Sequence, residues 1–448
     1  MKRIYLLIAT MFLGFSSSLQ AQIVDDEDEI IVTNEKGEKE SIDIPEAMTA
    51  EVDSMLHLYN TKTYLRKDAD CNLPNFNPVF KPEEFKARLQ RLPTIMEMPY
   101  NDVVQKFIDR YSNQLRQSVS YMLGASNFYF SIFEQALEAY HLPLELKYLP
   151  VIESGLNPKA VSRVGATGLW QFMIVTGENY GLTVNSLLDE RCDPIKSSYA
   201  AANYLSDLYK IFGDWNLVIA AYNCGPDKIN QAIHRANGTK DYWKIYPYLP
   251  PETRGYVPAF IAANYIMNYY CDHNICPMVA DMPEKTDTIM VDRDIHFDQI
   301  ANVLKMDVNQ LKELNPQYRR DIVNGSNQLS TLRLPVDLIN SFIEKEDSIY
   351  AYKTDELLTK RSEVEVDLSP SKVISEKRSY ASSKKAYSKK RSKSSSRKKH
   401  SKTKFTTVRD GDTLSEIAER NNTTVKKLRK LNGIKGTTIH KGKKIKVK

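Results

Sequence analysis

The stretch Leu142-Pro143-Leu144-Glu145-Leu146-Lys147-Tyr148-Leu149-Pro150-Val151-Ile152-Glu153-Ser154-Gly155 decides how this chain is read. On a helical wheel Leu142, Leu146, Leu149 and Glu153 fall at i, i+4, i+7 and i+11 and share one apolar face. A carboxylate on that face, where Gly155 breaks the helix, is anomalous. Desolvation there disfavours the charged form and raises the pKa, as a general acid near neutral pH requires. The alternative is a structural glutamate that reaches solvent or pairs with Lys147. The stretch alone leaves both open.

Working outward, Ser162 to Met173 carries Gly165 and Gly168, which allow close backbone approach, followed by Trp170, Gln171 and Met173. Ala221-Tyr222-Asn223-Cys224-Gly225 comes next, then Glu252-Thr253-Arg254-Gly255-Tyr256-Val257. Aromatic faces beside amide side chains suit a sugar: flat surfaces for stacking, and donors and acceptors for hydroxyl and N-acetyl groups. Taken singly, each fragment also reads as a tight turn or as core packing.

In this order and spacing the four signatures resemble the catalytic domain of the soluble lytic murein transglycosylases, including the membrane-bound D-like type, over about Leu142 to Tyr270. The resemblance implies a mainly α lysozyme-like catalytic domain in which Glu153 is the sole catalytic acid/base. It places Ser162, Gln171, Met173, Tyr222 and Asn223 at the saccharide groove, supported by Glu252 and Tyr256, with Ser154 and Asn223 shaping turns. Trp170 stands where the family often has Met, and Cys224 where it often has Ala. Both departures bear on subsite preference.

A retaining glycosidase needs a second carboxylate roughly 5–5.5 Å from the first, and an inverting one needs it at roughly 6.5–9.5 Å. None stands in these signatures where the family would use one. The implied reaction is therefore non-hydrolytic cleavage of the N-acetylmuramic acid–β-1,4–N-acetylglucosamine bond, giving 1,6-anhydromuramyl products. The alternatives are a muramidase that uses water and a non-catalytic glycan-binding wall protein. No cofactor and no metal are implied.

The rest of the chain frames that domain. Its 448 residues are enough for two or three domains, and 42% hydrophobic content excludes a wholly disordered chain. The net charge of +6 hides an asymmetry: residues 371–404 carry 14 Lys or Arg against Glu376, a local +13 that leaves −7 on the remainder. A uniformly basic nucleic-acid binder is thereby excluded. Residues 1–21 read as a signal peptide, with Lys2 and Arg3 before the apolar run Ile4 to Phe15, too short to span a bilayer. An uncleaved anchor is the other reading. Export to the periplasm or cell envelope follows, with no transmembrane anchor in the mature chain. Residues 22–90 form an N-terminal extension, its acidic first part (22–60) read as a mobile leader, ahead of a catalytic domain at 91–275. Five cysteines are too few for a disulfide scaffold. Cys271 and Cys276 are close enough to pair, and buried free thiols are the other reading.

Sliding the C-terminal segment by 117 residues superposes Leu414 on Phe297, Ile417 on Ile300, Leu428 on Leu311 and Asn432 on Asn315, among others. Each copy reads as two short helices flanked by strands, a βααβ unit. The second, 404–448, resembles a LysM glycan-binding module, which points to Gly411, Asp412, Thr413, Leu414, Asn432 and Ile434 for N-acetylglucosamine. Thr413 with Glu416 reads as a capping box. The first, 285–338, lacks the turn glycine and reads as degenerate. Residues 345–403 form a basic Ser/Lys-rich linker, read as an extended tether in preference to a nucleic-acid arm or a membrane-surface contact. The partner implied is the glycan strand of peptidoglycan; oligomeric state is left open.

Overall fold

The computed structural model describes residues 29–33, 37–49, 65–280, 283, 285–358, 405–408, 414–421, 423, 425–434 and 442–447. The signal segment, the Lys/Arg-rich part of the linker and the Gly411–Thr413 turn lie outside these residues. Residues 82–270 are helical as expected. A long helix, Arg116–Ala139, follows a π-helical turn at Arg110–Gln114 and buries Val119, Met122, Phe133 and Leu137. Against it and its neighbours packs Pro251–Tyr269, which is apolar on nearly every side and correspondingly buried from Thr253 to Met267. Prolines start helices at Pro194 and Pro226, where a missing N–H costs nothing; Asp193 caps the first by accepting from the backbone of Ile195 and Lys196.

The stretch 142–153 is not one helix. It is a 3-10 turn, Leu144–Tyr148, followed by a short α-helix, Leu149–Ser154. Pro150 explains the break: in a continuous α-helix its ring would meet the carbonyl of Leu146, but in the first turn of a new helix it is tolerated. The apolar face survives the break, since Leu146 and Leu149 are both fully buried.

The N-terminal extension is not a mobile leader where it is described. Glu29–Thr33 and Lys39–Asp43 form an antiparallel hairpin with Ile30 opposite Ile42. Ile30, Val32, Ile42 and Met48 join the main core. The alternation of Ile30 and Val32 with polar residues is a strand pattern that the acidic composition masked. The hairpin lies on the helix Pro251–Tyr269 at Gly255, where a Cβ would stand 2.4 Å from the carbonyl oxygen of Asp43, so no larger residue fits.

The cysteine expectation is also corrected. Cys276 pairs with Cys71, not Cys271, tying the strand Leu65–Lys67 to its partner Met278–Ala280 at the edge of the helical domain. Cys271 is exposed, and Cys192 is a buried free thiol.

The repeat is visible as structure. In the first copy the Asn315 amide donates to Leu311 O (2.9 Å) and Arg333 O (2.8 Å) and accepts from Arg333 N (2.8 Å). In the second, Asn432 donates to Leu428 O (2.9 Å) and Lys446 O (2.8 Å) and accepts from Lys446 N (2.7 Å). Both asparagines tie the second helix to the closing strand. The first module runs further than expected: helices continue to Leu357, Ile349 is fully buried, and Gln299 donates to the carbonyls of Tyr350 and Tyr352. Residues 345–357 therefore belong to this module, not to the linker.

The first module is seated on the catalytic domain. Arg319 donates to Asn185 O and pairs with Asp189, and Leu188 enters the module's core beside Tyr318. Asp189 is buried between Arg319 and Arg191; burial pushes its pKa up, but the two guanidinium groups hold it below the usual carboxylate range. Removing Asp189 strands the buried Arg191 charge, a loss on the order of 3–5 kcal/mol. Urea unfolding of Asp189→Ala should show a drop of that size; a drop under about 1 kcal/mol would mean that the pair is dispensable.

Candidate functional site

Glu153 is the last but one residue of the helix Leu149–Ser154, which ends in a left-handed turn at Gly155. Ser154 fixes that end: its hydroxyl is buried and donates to Pro150 O (3.0 Å) and Leu169 O (2.9 Å). The second bond ties the acid's helix to the loop 162–173. Glu153 itself faces a cleft of about 660 Å³ that is also lined by Ser162, Gln171, Met173, Tyr222 and Tyr256. That volume is in the range of sites that hold small ligands. Lys147 pairs with Glu134 instead, so the structural pairing weighed for Glu153 is not made.

Burial pushes the Glu153 carboxyl up to about 7, opposed by a hydrogen bond that the Tyr256 hydroxyl donates to it. Tyr256 is itself fully buried, and burial together with the adjacent Glu153 holds its hydroxyl well above the ordinary tyrosine range. It therefore stays a donor at any working pH. The result is a carboxyl that is protonated for part of the time near neutrality and held in one orientation.

The loop beyond is built around close backbone contacts. Ser162 closes its first turn, its hydroxyl accepting from Ala166 N at 3.0 Å. Thr167 and Phe172 exchange backbone hydrogen bonds at 3.1 Å across a tight bend. Gly168 sits in that bend at φ +88°, and a Cβ there would fall 1.9 Å from Arg191 O. Gln171 turns its amide inward, donating to Gly168 O at 2.8 Å. Met173 is left exposed at the cleft's rim. Arg191 supports the loop from below, with Nη1 donating to Gly165 O and Phe172 O, both at 3.1 Å.

Tyr222 donates to Trp170 O at 2.7 Å, and its ring lies 5.3 Å from that of Tyr204. Asn223 accepts from the Thr253 hydroxyl at 2.9 Å, fastening the helix Trp215–Cys224 to the start of Pro251–Tyr269. Glu252 stands in the first turn of that last helix and lines the cleft. All eight positions expected at the groove thus come together around one cavity. Trp170 is fully buried, with its indole N–H on Ser198, so this departure is a core residue and not a cleft residue.

Sequence reasoning missed three things. Arg191 carried no motif, and its role depends on a tertiary contact to Gly168. Tyr204 lines the cleft from the helix Pro194–Phe212, outside the four signatures. The third is the N-terminal segment, which contributes Ile44, Pro45, Glu46 and Thr49 to the same cavity. In the C-terminal module, Leu414 is fully buried and the Asn432 amide is spent on backbone, so both hold the fold rather than face a ligand; Ile434 is partly buried against the same core.

The electrostatics fix the sign of two pH effects. A general acid must carry its proton, so turnover should fall as pH rises above about 7. Tyr256→Phe removes a hydrogen bond that favours the ionised carboxylate, and should move that limb to higher pH; a limb that stays put or moves down would contradict the contact. For stability, the folded chain keeps the proton through the interval from about 4.5 to about 7, where the unfolded chain has released it. Stability therefore declines as pH rises through that interval. Glu153→Gln should gain stability over wild type at pH 8 and not at pH 4, measured by thermal unfolding.

Comparison with known proteins agrees with this geometry. Residues 130–245 match the family described as "Transglycosylase SLT domain", residues 285–351 the "Lytic transglycosylase MltD, LysM-like domain", and residues 406–448 the "LysM domain". The chain is 26% identical over 354 residues to membrane-bound lytic murein transglycosylase D of Escherichia coli K12, covering 78% of this chain and 70% of that protein. It is 32% identical over 124 residues to the soluble lytic murein transglycosylase of the same organism, 26% of this chain and 19% of that one. Among solved structures, the 70 kDa soluble lytic transglycosylase of Escherichia coli aligns with 28% identity and a TM-score of 0.29, over 32% of this chain and 24% of that chain. With Glu153 in the matched catalytic domain and two different LysM-type modules behind it, the chain belongs with the lytic transglycosylases of the membrane-bound D-like type.

Proposed function

We propose that this protein is a peptidoglycan lytic transglycosylase that cleaves the N-acetylmuramic acid–β-1,4–N-acetylglucosamine bond without water, with Glu153 as its acid and then its base. The observation that carries this reading is the Glu153 carboxyl, buried, held by Tyr256, and raised to about 7 at the floor of the cleft. Protonated Glu153 donates to the glycosidic oxygen, and the bond from that oxygen to C1 of the muramoyl residue breaks. The N-acetyl carbonyl of the same sugar shares the positive charge at C1. The ionised carboxylate next takes the proton of the muramoyl C6 hydroxyl, whose oxygen bonds to C1 and closes the 1,6-anhydro ring. Atoms balance without water, and Glu153 ends as it began.

The other cleft residues serve binding in this reading. Ser162, Gln171, Met173, Tyr222 and Asn223 line the saccharide path, with Glu252 at its edge and Tyr256 positioning the acid. The C-terminal module, through Gly411, Asp412, Thr413 and the neighbouring loop, would hold the enzyme on its polymer and raise its local concentration there. The substrate places the protein in the cell envelope, and the N-terminal segment fits export to the periplasm. Among the described residues, no helix is long and apolar enough to cross a membrane.

One observation favours a second reading. Asp43 and Glu252 also line the cleft, so a hydrolase that activates water has candidate carboxylates. Burial raises the Asp43 pKa, as does the charge of Glu29, which makes it a poor base. Products separate the two. Mass spectrometry of digested peptidoglycan should find anhydromuramyl ends from wild type, falling about 10²–10⁴-fold with Glu153→Gln. Reducing ends would transfer the protein to the hydrolases.

A further inference from the structure

The segment Asp43–Thr49 runs from one side of the cleft to the other. It leaves the hairpin beside Gly255 on the helix Pro251–Tyr269, and its 3-10 turn Glu46–Met48 packs on the acid's own helix, Leu149–Ser154. It ends against the loop that carries Ser162: Glu46 accepts from Arg163 N at 3.3 Å and lies 3.7 Å from the Arg163 Nε. Between these two anchorages its residues share the cavity with Glu153.

The segment is held rigidly. Ile42 and Met48 are fully buried in the main core. Arg110 donates to Met48 O at 2.7 Å, Arg254 pairs with Glu40 at 2.9 Å, and Lys106 donates to Ile31 O. Swinging it away would expose those apolar side chains, at about 1.5–3 kcal/mol for each one. It is a wall and not a flap.

We infer that this N-terminal strap closes the cleft on its side of Glu153, so that the enzyme takes the end of a glycan strand and releases short products instead of cutting within long strands. A polysaccharide that continued past Glu153 in that direction would meet the backbone of Pro45 and Glu46. A groove open at both ends would accept any internal bond; a groove walled at one end admits a terminus, and the distance from wall to acid fixes the product length. Glu46 and Arg163 are the specificity-determining pair, because their contact joins the strap to the opposite side. The inference rests on the lytic reading above.

The test follows product length with time. Long purified glycan strands are digested with the full mature chain and with Glu46→Ala/Arg163→Ala, and the anhydro-ended products are sized by chromatography with mass detection. Wild type should release its shortest products from the first time points while the remaining strands shorten slowly. The double variant should yield several-fold more long anhydro-ended fragments at equal bond turnover. Early long fragments from wild type would overturn the inference whether or not the variant folds. So would a product profile in a folded variant, checked by circular dichroism, that is the same as wild type's. Products without anhydro ends would instead sink the lytic reading, so the two failures are distinguishable.

Discussion

The contact between the Tyr256 hydroxyl and the Glu153 carboxyl is the constraint on which the rest of the site depends. A lone acid that must give up a proton and then recover another needs a pKa near its working pH. Burial supplies the upward push, and it would push further without the one donor that favours the charged form. That donor must stay protonated, which requires Tyr256 to be buried too, and so requires the helix Pro251–Tyr269 to be apolar on nearly all sides. One hydrogen bond thus sets demands on a whole helix.

The supports around it follow the same logic. Ser154 fixes the acid's helix to the loop through Leu169 O, and Tyr222 grips that loop through Trp170 O. Arg191 holds it from beneath, at the position where Gly168 lets the two backbones approach. Asp189 then links Arg191 to Arg319 of the first LysM-like module. A continuous set of polar contacts runs from that module to the loop that lines the cleft. The module is degenerate at its turn, and the capping box made by His296 and Gln299 shows that its helix start remains well formed.

Much of this was legible in the sequence, for identifiable reasons. The catalytic signatures are local, so Glu153, Gln171, Tyr222 and Tyr256 could be placed before any coordinate was known. The 117-residue repeat was legible because Asn315 and Asn432 do the same job in the same register. What could not be read depends on contacts between distant segments. Asp25 to Glu29 made the N-terminal segment look solvated, while its fit to the core depends on Gly255, more than two hundred residues later. The Cys71 pairing needed the strand Leu65–Lys67 to find Met278–Ala280. The single amphipathic helix drawn through Glu153 failed at Pro150, whose effect on the turn before it is local and could have been weighed. The glycan role given to Leu414 failed because the residue is core, a position the repeat itself marked by aligning it with Phe297.

The central claim is that the acid is poised by its surroundings before any substrate arrives. The direct measurement is the carboxyl titration of Glu153 in the free protein, read by difference infrared spectroscopy or carboxyl carbon NMR against Glu153→Gln. The account predicts one carboxyl, absent from the variant, that titrates near 7. A Glu153 that titrates near the unperturbed value of about 4.5 would contradict it, since such a group would be ionised at neutral pH and unable to donate the proton that begins the reaction.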